Sequence, residues 1–300
     1  ANLSRTVSHG RHACERLGEV MIRTKFWGVR GSIPVPGATT VGVGGNTSCV
    51  QVTCGETHIV FDAGTGLRLL GAELVRKMPV SVHLFISHVH WDHIQGFPFF
   101  APAFVGGNKI HMYGASNSRG TVESAMAGQM EFPNFPVKLS ELGSELIFHH
   151  ISPGDVVHVG ADVSVRAAAG THPGGVLAYR VDYQGASVVY ATDTEHSDDG
   201  ELDDRLVELA KGADVFIYDS MYTPEEYDGR ADGRSRIGWG HSTFEVGAAI
   251  ASAAGVKQYV LFHHDPEQDD AEVRVKEERA QALFPNAIAA REGLVLECSR

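Results

Sequence analysis

Apolar residues in this chain gather into short runs, and several of those runs end at a histidine or an aspartate. Val82-His83-Leu84-Phe85-Ile86-Ser87 is the plainest case. It is rich in β-branched and aromatic residues, has the length of a buried strand, and stops at His88. Comparable runs predict strands at 26–29, 49–53, 58–61, 163–167, 176–181, 187–191, 215–218 and 258–262. Leu67, Leu70 and Leu74 recur at helical spacing after a Gly-Thr-Gly turn, and helices are expected at 202–210, 243–254 and 271–283. Strands alternate with helices and no Pro-, Gly- or Ser-rich linker divides them. The pattern predicts an α/β fold with a single domain over 21–300. Residues 1–20 read as a polar N-terminal extension carrying His12 and Cys14, without the apolar segment of a secretory signal.

The polar residues that close these runs are competent to bind metal. His88 follows one strand, His172 another, and Asp193, Asp219 and His263 follow three more, the position at which α/β folds commonly build their sites. His88-Val89-His90-Trp91-Asp92-His93 packs three imidazoles and a carboxylate into six residues, all of them ligand types for a borderline ion such as zinc. His88 and His90 lie two apart, so in extended chain they share a side and can share an ion. Asp92 and His93 fall where the chain is expected to turn, within reach of a second ion.

Composition narrows the class. Hydrophobic residues make up 43% and charged residues 21%, which describes a globular chain with ample core, and no apolar run is long enough to span a membrane. Four cysteines are too few for a disulfide scaffold in a chain of this length. Cys49 and Cys54 sit at odd spacing in one strand, so they face opposite sides. A reduced, cytoplasmic setting follows as the expectation. The formal net charge of −12 would become about −8 with two zinc ions bound. That acidity lacks the broad basic surface of a nonspecific nucleic-acid binder. No large nucleic acid and no membrane is therefore expected as a partner, whereas a small anion at the metals and a homodimer are compatible.

The motifs resemble the metallo-β-lactamase superfamily, in the hydrolase branch similar to ribonuclease Z and related phosphodiesterases. The residues that carry the resemblance are Asp62 in Phe-Asp-Ala-Gly-Thr-Gly, the run at 88–93, His172 in Thr-His-Pro-Gly-Gly, Asp193 in Ala-Thr-Asp-Thr and His263 in Leu-Phe-His-His-Asp. Gly45-Asn46-Thr47-Ser48-Cys49 is similar to an early segment of the same branch. The resemblance implies an αββα sandwich holding two zinc ions, with manganese or iron(II) as alternatives. It places His88, His90 and His172 on one ion, Asp92, His93 and His263 on the other, and Asp193 between them. His264 competes with His263 for the last place. Asp62 would orient a ligand histidine from behind; a helix N-cap is its other reading.

Trp239-Gly240-His241-Ser242-Thr243 resembles the phosphodiesterase branch, where such a histidine lies beside the scissile phosphate, here paired with Asp219. The implied reaction is phosphodiester hydrolysis by a metal-bridged hydroxide, with Asp92, His241 and Asp219 in catalytic roles and a small or cyclic nucleotide as substrate. Alternatives are a lactonase or thioesterase, which would share every metal ligand without needing the His241–Asp219 pair, and a tRNA 3′-processing endonuclease. Arg230, Arg234 and Arg236 form either a phosphate clamp or a solvated loop. The Phe/Pro runs at 97–100 and 132–136 either wall a pocket or fill the core.

Overall fold

The protein is described here from a computed structural model, which covers residues 20–117, 120–160, 162–197 and 200–299. His12 and Cys14 of the expected N-terminal extension lie outside the described residues. The chain opens with β1 (Val20–Gly28), β2 (Cys49–Cys54) and β3 (Thr57–Phe61), then α1 (Leu67–Leu74) and β4 (Ser81–Phe85). A short α2 (Trp91–Ile94) leads to β5 (Lys109–Asn117), β6 (Gly120–Thr121), α3 (Val122–Gln129) and β7 (Glu145–Ile151). The second half runs β8 (Val156–Val159), β9 (Val163–Gly170), β10 (Val176–Tyr183), β11 (Ala186–Ala191), α4 (Asp204–Ala210), β12 (Val215–Asp219) and α5 (Pro224–Tyr227). It closes with α6 (Phe244–Ala254), β13 (Gln258–Phe262), α7 (Asp270–Leu283), β14 (Ala287–Ala289) and β15 (Val295–Ser299).

Two sheets result. One has the order β15-β1-β2-β3-β4-β5-β6, with β7 also paired to β5; the other has the order β14-β13-β12-β11-β10-β9-β8. Strands β11 to β14 pair in parallel, and each parallel step needs a crossover, supplied by α4, α6 and α7. Those helices cover the outer face, so the strands beneath them are buried on both sides. All six residues of β11 and all five of β12 are buried, which explains why they appear in the sequence as unbroken apolar runs.

An aromatic stack fills the space between the sheets. Phe61 lies over Tyr190 with centroids 5.0 Å apart and over Tyr179 at 5.6 Å. A second core, under α1 and α3, joins Leu67, Leu70 and Leu74 to Leu84, Ile110 and Met126. The expected αββα sandwich is therefore the observed fold. Cys49 packs in the second core and Cys54 between the sheets, on opposite faces as their spacing requires. The Phe/Pro runs divide: Phe97 and Phe100 are fully buried, whereas Phe99 and Phe132 stand exposed. No helix among the described residues is long and apolar enough to cross a membrane.

Candidate active site

The loops that follow the strands converge at one edge of the sandwich. His88, His90 and His172 form one group of side chains, and Asp92, His93, Asp193 and His263 form another. In the second group, His93 Nε2 lies 3.1 Å from Asp92 Oδ2 and 3.2 Å from Asp193 Oδ1. His263 Nε2 lies 3.2 Å and 3.1 Å from the same two oxygens. Four donor atoms around a tetrahedral ion, each about 2.0 Å from it, stand roughly 3.3 Å apart, so the four side chains fit such an ion. The other oxygen of Asp193 faces the first group, 3.6 Å from His88 Nε2 and 4.0 Å from His172 Nε2. His172 Nε2 is 3.1 Å from His90 Nδ1. The Nε2 atoms of His88 and His93 are buried without a well-aligned hydrogen-bond partner, which is costly unless a cation takes the lone pair. The fold and the donor set together indicate binding of a divalent metal.

The backbone is strained where the cluster is built. Asp62, Asp193 and His263 have φ values of 60°, 51° and 60°, a left-handed region that non-glycine residues seldom occupy. Ser32 (φ 59°) does the same, and its N–H donates to Asp92 Oδ2 at 2.8 Å. Beside it, a Cβ on Gly31 would come within 2.6 Å of the His263 ring, so only glycine lets this loop approach.

Asp62 supports the cluster from behind. It accepts hydrogen bonds from the Ser87 N–H (2.7 Å), the Ser87 hydroxyl (2.8 Å) and the Tyr190 hydroxyl (2.7 Å). Its Oδ2 is also 2.7 Å from His93 Nδ1, which turns His93 Nε2 towards the other ligand-type atoms. The N-cap reading of Asp62 is incorrect: Gly66 occupies the cap of α1, with no side-chain hydrogen bond. Asp62→Asn is expected to weaken metal binding by ~10–100-fold, measured by competition with a chromogenic chelator. Unchanged affinity would limit Asp62 to a structural role.

His241 is buried beside the cluster, next to Asp193 and His263. Its Nδ1 is 2.9 Å from Asp219 Oδ2 and 3.9 Å from Asp193 Oδ2, and its ring stacks on His263 with centroids 5.1 Å apart. Asp219 is held in turn by the Met221 N–H, at 3.0 Å from Oδ1. Burial disfavours charge on His241, but the Asp219 carboxylate outweighs it and raises the pKa to about 9. In the cluster, burial pushes His88 and His172 below the usual imidazole range and keeps their lone pairs available. Burial also opposes charge on His93, yet the carboxylates of Asp193, Asp92 and Asp62 lift it well above that range. This half of the site thus attracts a cation. His264 points away, its Nε2 3.0 Å from the Ala290 carbonyl, so the cluster contains His263 and not its neighbour.

The arginine-rich loop is tied to itself. Arg236 pairs with Asp232 at 2.7 Å and Arg230 with Asp228 at 2.5 Å. The anchor of this loop is Glu195, which the sequence reading missed. Its carboxylate accepts from the N–H groups of Gly238 (2.6 Å) and Gly240 (2.9 Å) and from the Tyr227 hydroxyl (2.8 Å). His172 Nδ1 lies 2.8 Å from the Gly240 carbonyl, so one peptide links the cluster to the segment carrying His241. Buried Lys276 braces the other side, donating to the carbonyls of Ser220 and Met221 just after Asp219. Glu195→Ala is expected to lower turnover by ~10–100-fold, the scale of a misplacement near 1 Å, without loss of metal. Parallel kinetics and elemental analysis would check it, and a loss of metal would instead make Glu195 part of the metal site's support.

A family model described as a Beta-lactamase superfamily domain matches residues 57–264. The chain belongs to that family, as a metallo-β-lactamase-fold hydrolase of the ribonuclease Z-like branch. It is 25% identical over 261 residues to a protein named Ribonuclease Z from Bacillus subtilis, covering 72% of this chain and 81% of that one. Among solved structures, the metallo-β-lactamase-fold protein YhfI from Bacillus subtilis superimposes with a TM-score of 0.67 at 18% identity, over 93% of this chain and 100% of that one. The short form of human tRNase Z gives 0.62 at 19% identity, over 91% and 98%.

These relatives correct one expectation. The acidic charge argues against a large nucleic acid as partner, yet proteins named Ribonuclease Z and tRNase Z match most of this chain's length. Net charge sums the whole surface, whereas a polyanion responds to the local field at the site, which a bound divalent ion would make more positive.

Proposed function

We propose that the protein is a two-metal phosphodiesterase acting on nucleotide-type diesters, with zinc as the resident metal. His88, His90 and His172 would hold one ion, Asp92, His93 and His263 the other, and Asp193 would bridge them. The observation that carries this reading is Asp193 itself, which turns one oxygen to each group with the His241–Asp219 pair beside it. When bound, a metal pair supplies Lewis-acid stabilisation of the phosphoryl oxygens and lowers the pKa of the attacking water. Asp92, fixed by the Ser32 amide, orients that water. His241, held by Asp219, donates a proton to the departing oxygen. A thiolate departs without a proton, so the His241–Asp219 pair disfavours a thioesterase; a lactone also expels an alkoxide, and substrate comparison separates it from the phosphodiester.

Small or cyclic nucleotides suit this machinery. The names of the relatives support a second reading, RNA 3′-end processing, through the same residues. A metal-replete panel decides among these readings. It compares bis(p-nitrophenyl) phosphate, 2′,3′- and 3′,5′-cyclic nucleotides, a precursor tRNA and a lactone. Turnover of the lactone with none of the diesters cleaved would refute the phosphodiesterase, and the best diester identifies the substrate.

A further inference from the structure

A cavity of about 380 Å³ lies beside the His88–His90 side of the cluster. Its floor is Ile86 and Ser87 at the end of β4, and its walls include Ala115, Val122, Ala125 and Pro173. The hydroxyl groups along it are already engaged. Ser87 Oγ donates to Asp62, and Thr121 and Ser124 cap each other at the start of α3. Among the described residues, no lysine or arginine lines it. Away from His88 and His90, an anion would find no cationic partner among these side chains, whereas a flat, uncharged group would exchange water for apolar wall. The volume sits near the lower end of the ~300–1,000 Å³ usual for small-molecule sites, enough for one nucleoside-sized group.

We infer that this cavity receives the nucleoside on one side of the scissile phosphate, placing its base against Val89, Val122 and Ala125. The inference rests on the phosphodiesterase reading and adds to it where the substrate's uncharged part goes. A mononucleotide and the end of an RNA chain present the same nucleoside, so both are tested.

Ala125→Phe would fill the cavity. Val89→Trp, at a position 42% exposed at the rim, would crowd it with less demand on folding. The substrates are 2′,3′-cyclic AMP, adenylyl-adenosine, and ethylene phosphate, which is the five-membered cyclic diester without a base, followed by ³¹P NMR. The readout is the ratio of kcat/KM for each nucleoside diester to that for ethylene phosphate. Equilibrium dialysis of adenosine against metal-replete protein adds a measurement independent of turnover. The ratio is expected to fall by ~10-fold or more in both variants, with adenosine binding weakened in parallel. The arm that falls identifies a free nucleotide or a chain end as the source. An unchanged ratio in both variants overturns the inference. If wild-type protein cleaves no diester, the phosphodiesterase reading fails, and the dialysis alone decides the cavity: unaltered adenosine binding in both variants overturns it, and weakened binding upholds it.

Discussion

Asp193→Ala is expected to reduce bound metal from about two ions per chain to one or none and to lower turnover by at least ~10³-fold. Asp193 presents Oδ1 to His93 and His263 and Oδ2 to His88 and His172, so truncation removes a donor from both groups at once. No neighbour replaces it: Asp92 reaches only the second group, and Asp219 is occupied by His241 and the Met221 amide. The rate follows from the energetics. Two-metal stabilisation of a phosphoryl transition state is worth several kcal/mol, and about 4 kcal/mol corresponds to ~10³-fold. Elemental analysis of metal-replete protein reads the first effect and diester kinetics the second, with circular dichroism confirming the fold. Retention of two ions by the variant would refute the bridging role, whatever happened to the rate.

How far the sequence revealed this arrangement depends on how each residue acts. Strands β11 to β13 were legible because sheet packing and crossover helices bury them, leaving apolar runs with little polar interruption, and antiparallel β9 because Val163, Val165 and Ala167 alternate onto a buried face. The ends of those runs exposed His172, Asp193, Asp219 and His263 as a set. Strands β5 and β7 were not legible. His111 and His149 lie within an imidazole and tyrosine ladder, with Tyr113 and His149 stacked at 4.3 Å and His83 and His111 at 4.6 Å, so half-buried polar rings replace the apolar alternation that marks a strand. Within the site, the contiguous motif at 88–93 announced itself through side chains. Ser32 acts through its backbone amide, which leaves no side-chain pattern to recognise. Glu195 grips glycine amides more than forty positions away. The one signal that could have found it is its place two residues after Asp193, in Asp-Thr-Glu. The charge argument failed for another reason, since a total over 300 residues carries no information about the field at one edge of the sandwich.

His241→Ala is expected to keep both ions while lowering turnover by ~10²–10⁴-fold, the range for loss of a general acid. Geometry motivates both halves. The pair with Asp219 at 2.9 Å fixes the imidazole with Nδ1 turned inward, which leaves Nε2 as the atom available to a substrate. Each of the other two groups of ligand-type side chains has at least three members without it. Asp193, Asp219, His241 and His263 do approach closely enough to hold an ion, so metal content is the discriminating measurement as well as a control. The loss should depend on the leaving group. An alkoxide such as a ribose oxygen departs only with a proton, whereas p-nitrophenolate departs without one, so the penalty should be largest on cyclic nucleotides or RNA and smallest on bis(p-nitrophenyl) phosphate. Equal losses on both would reduce His241 to a binding contact. Disappearance of one ion in the variant would make it a ligand, and the division of the cluster into two groups sharing Asp193 would have to be redrawn around Asp219.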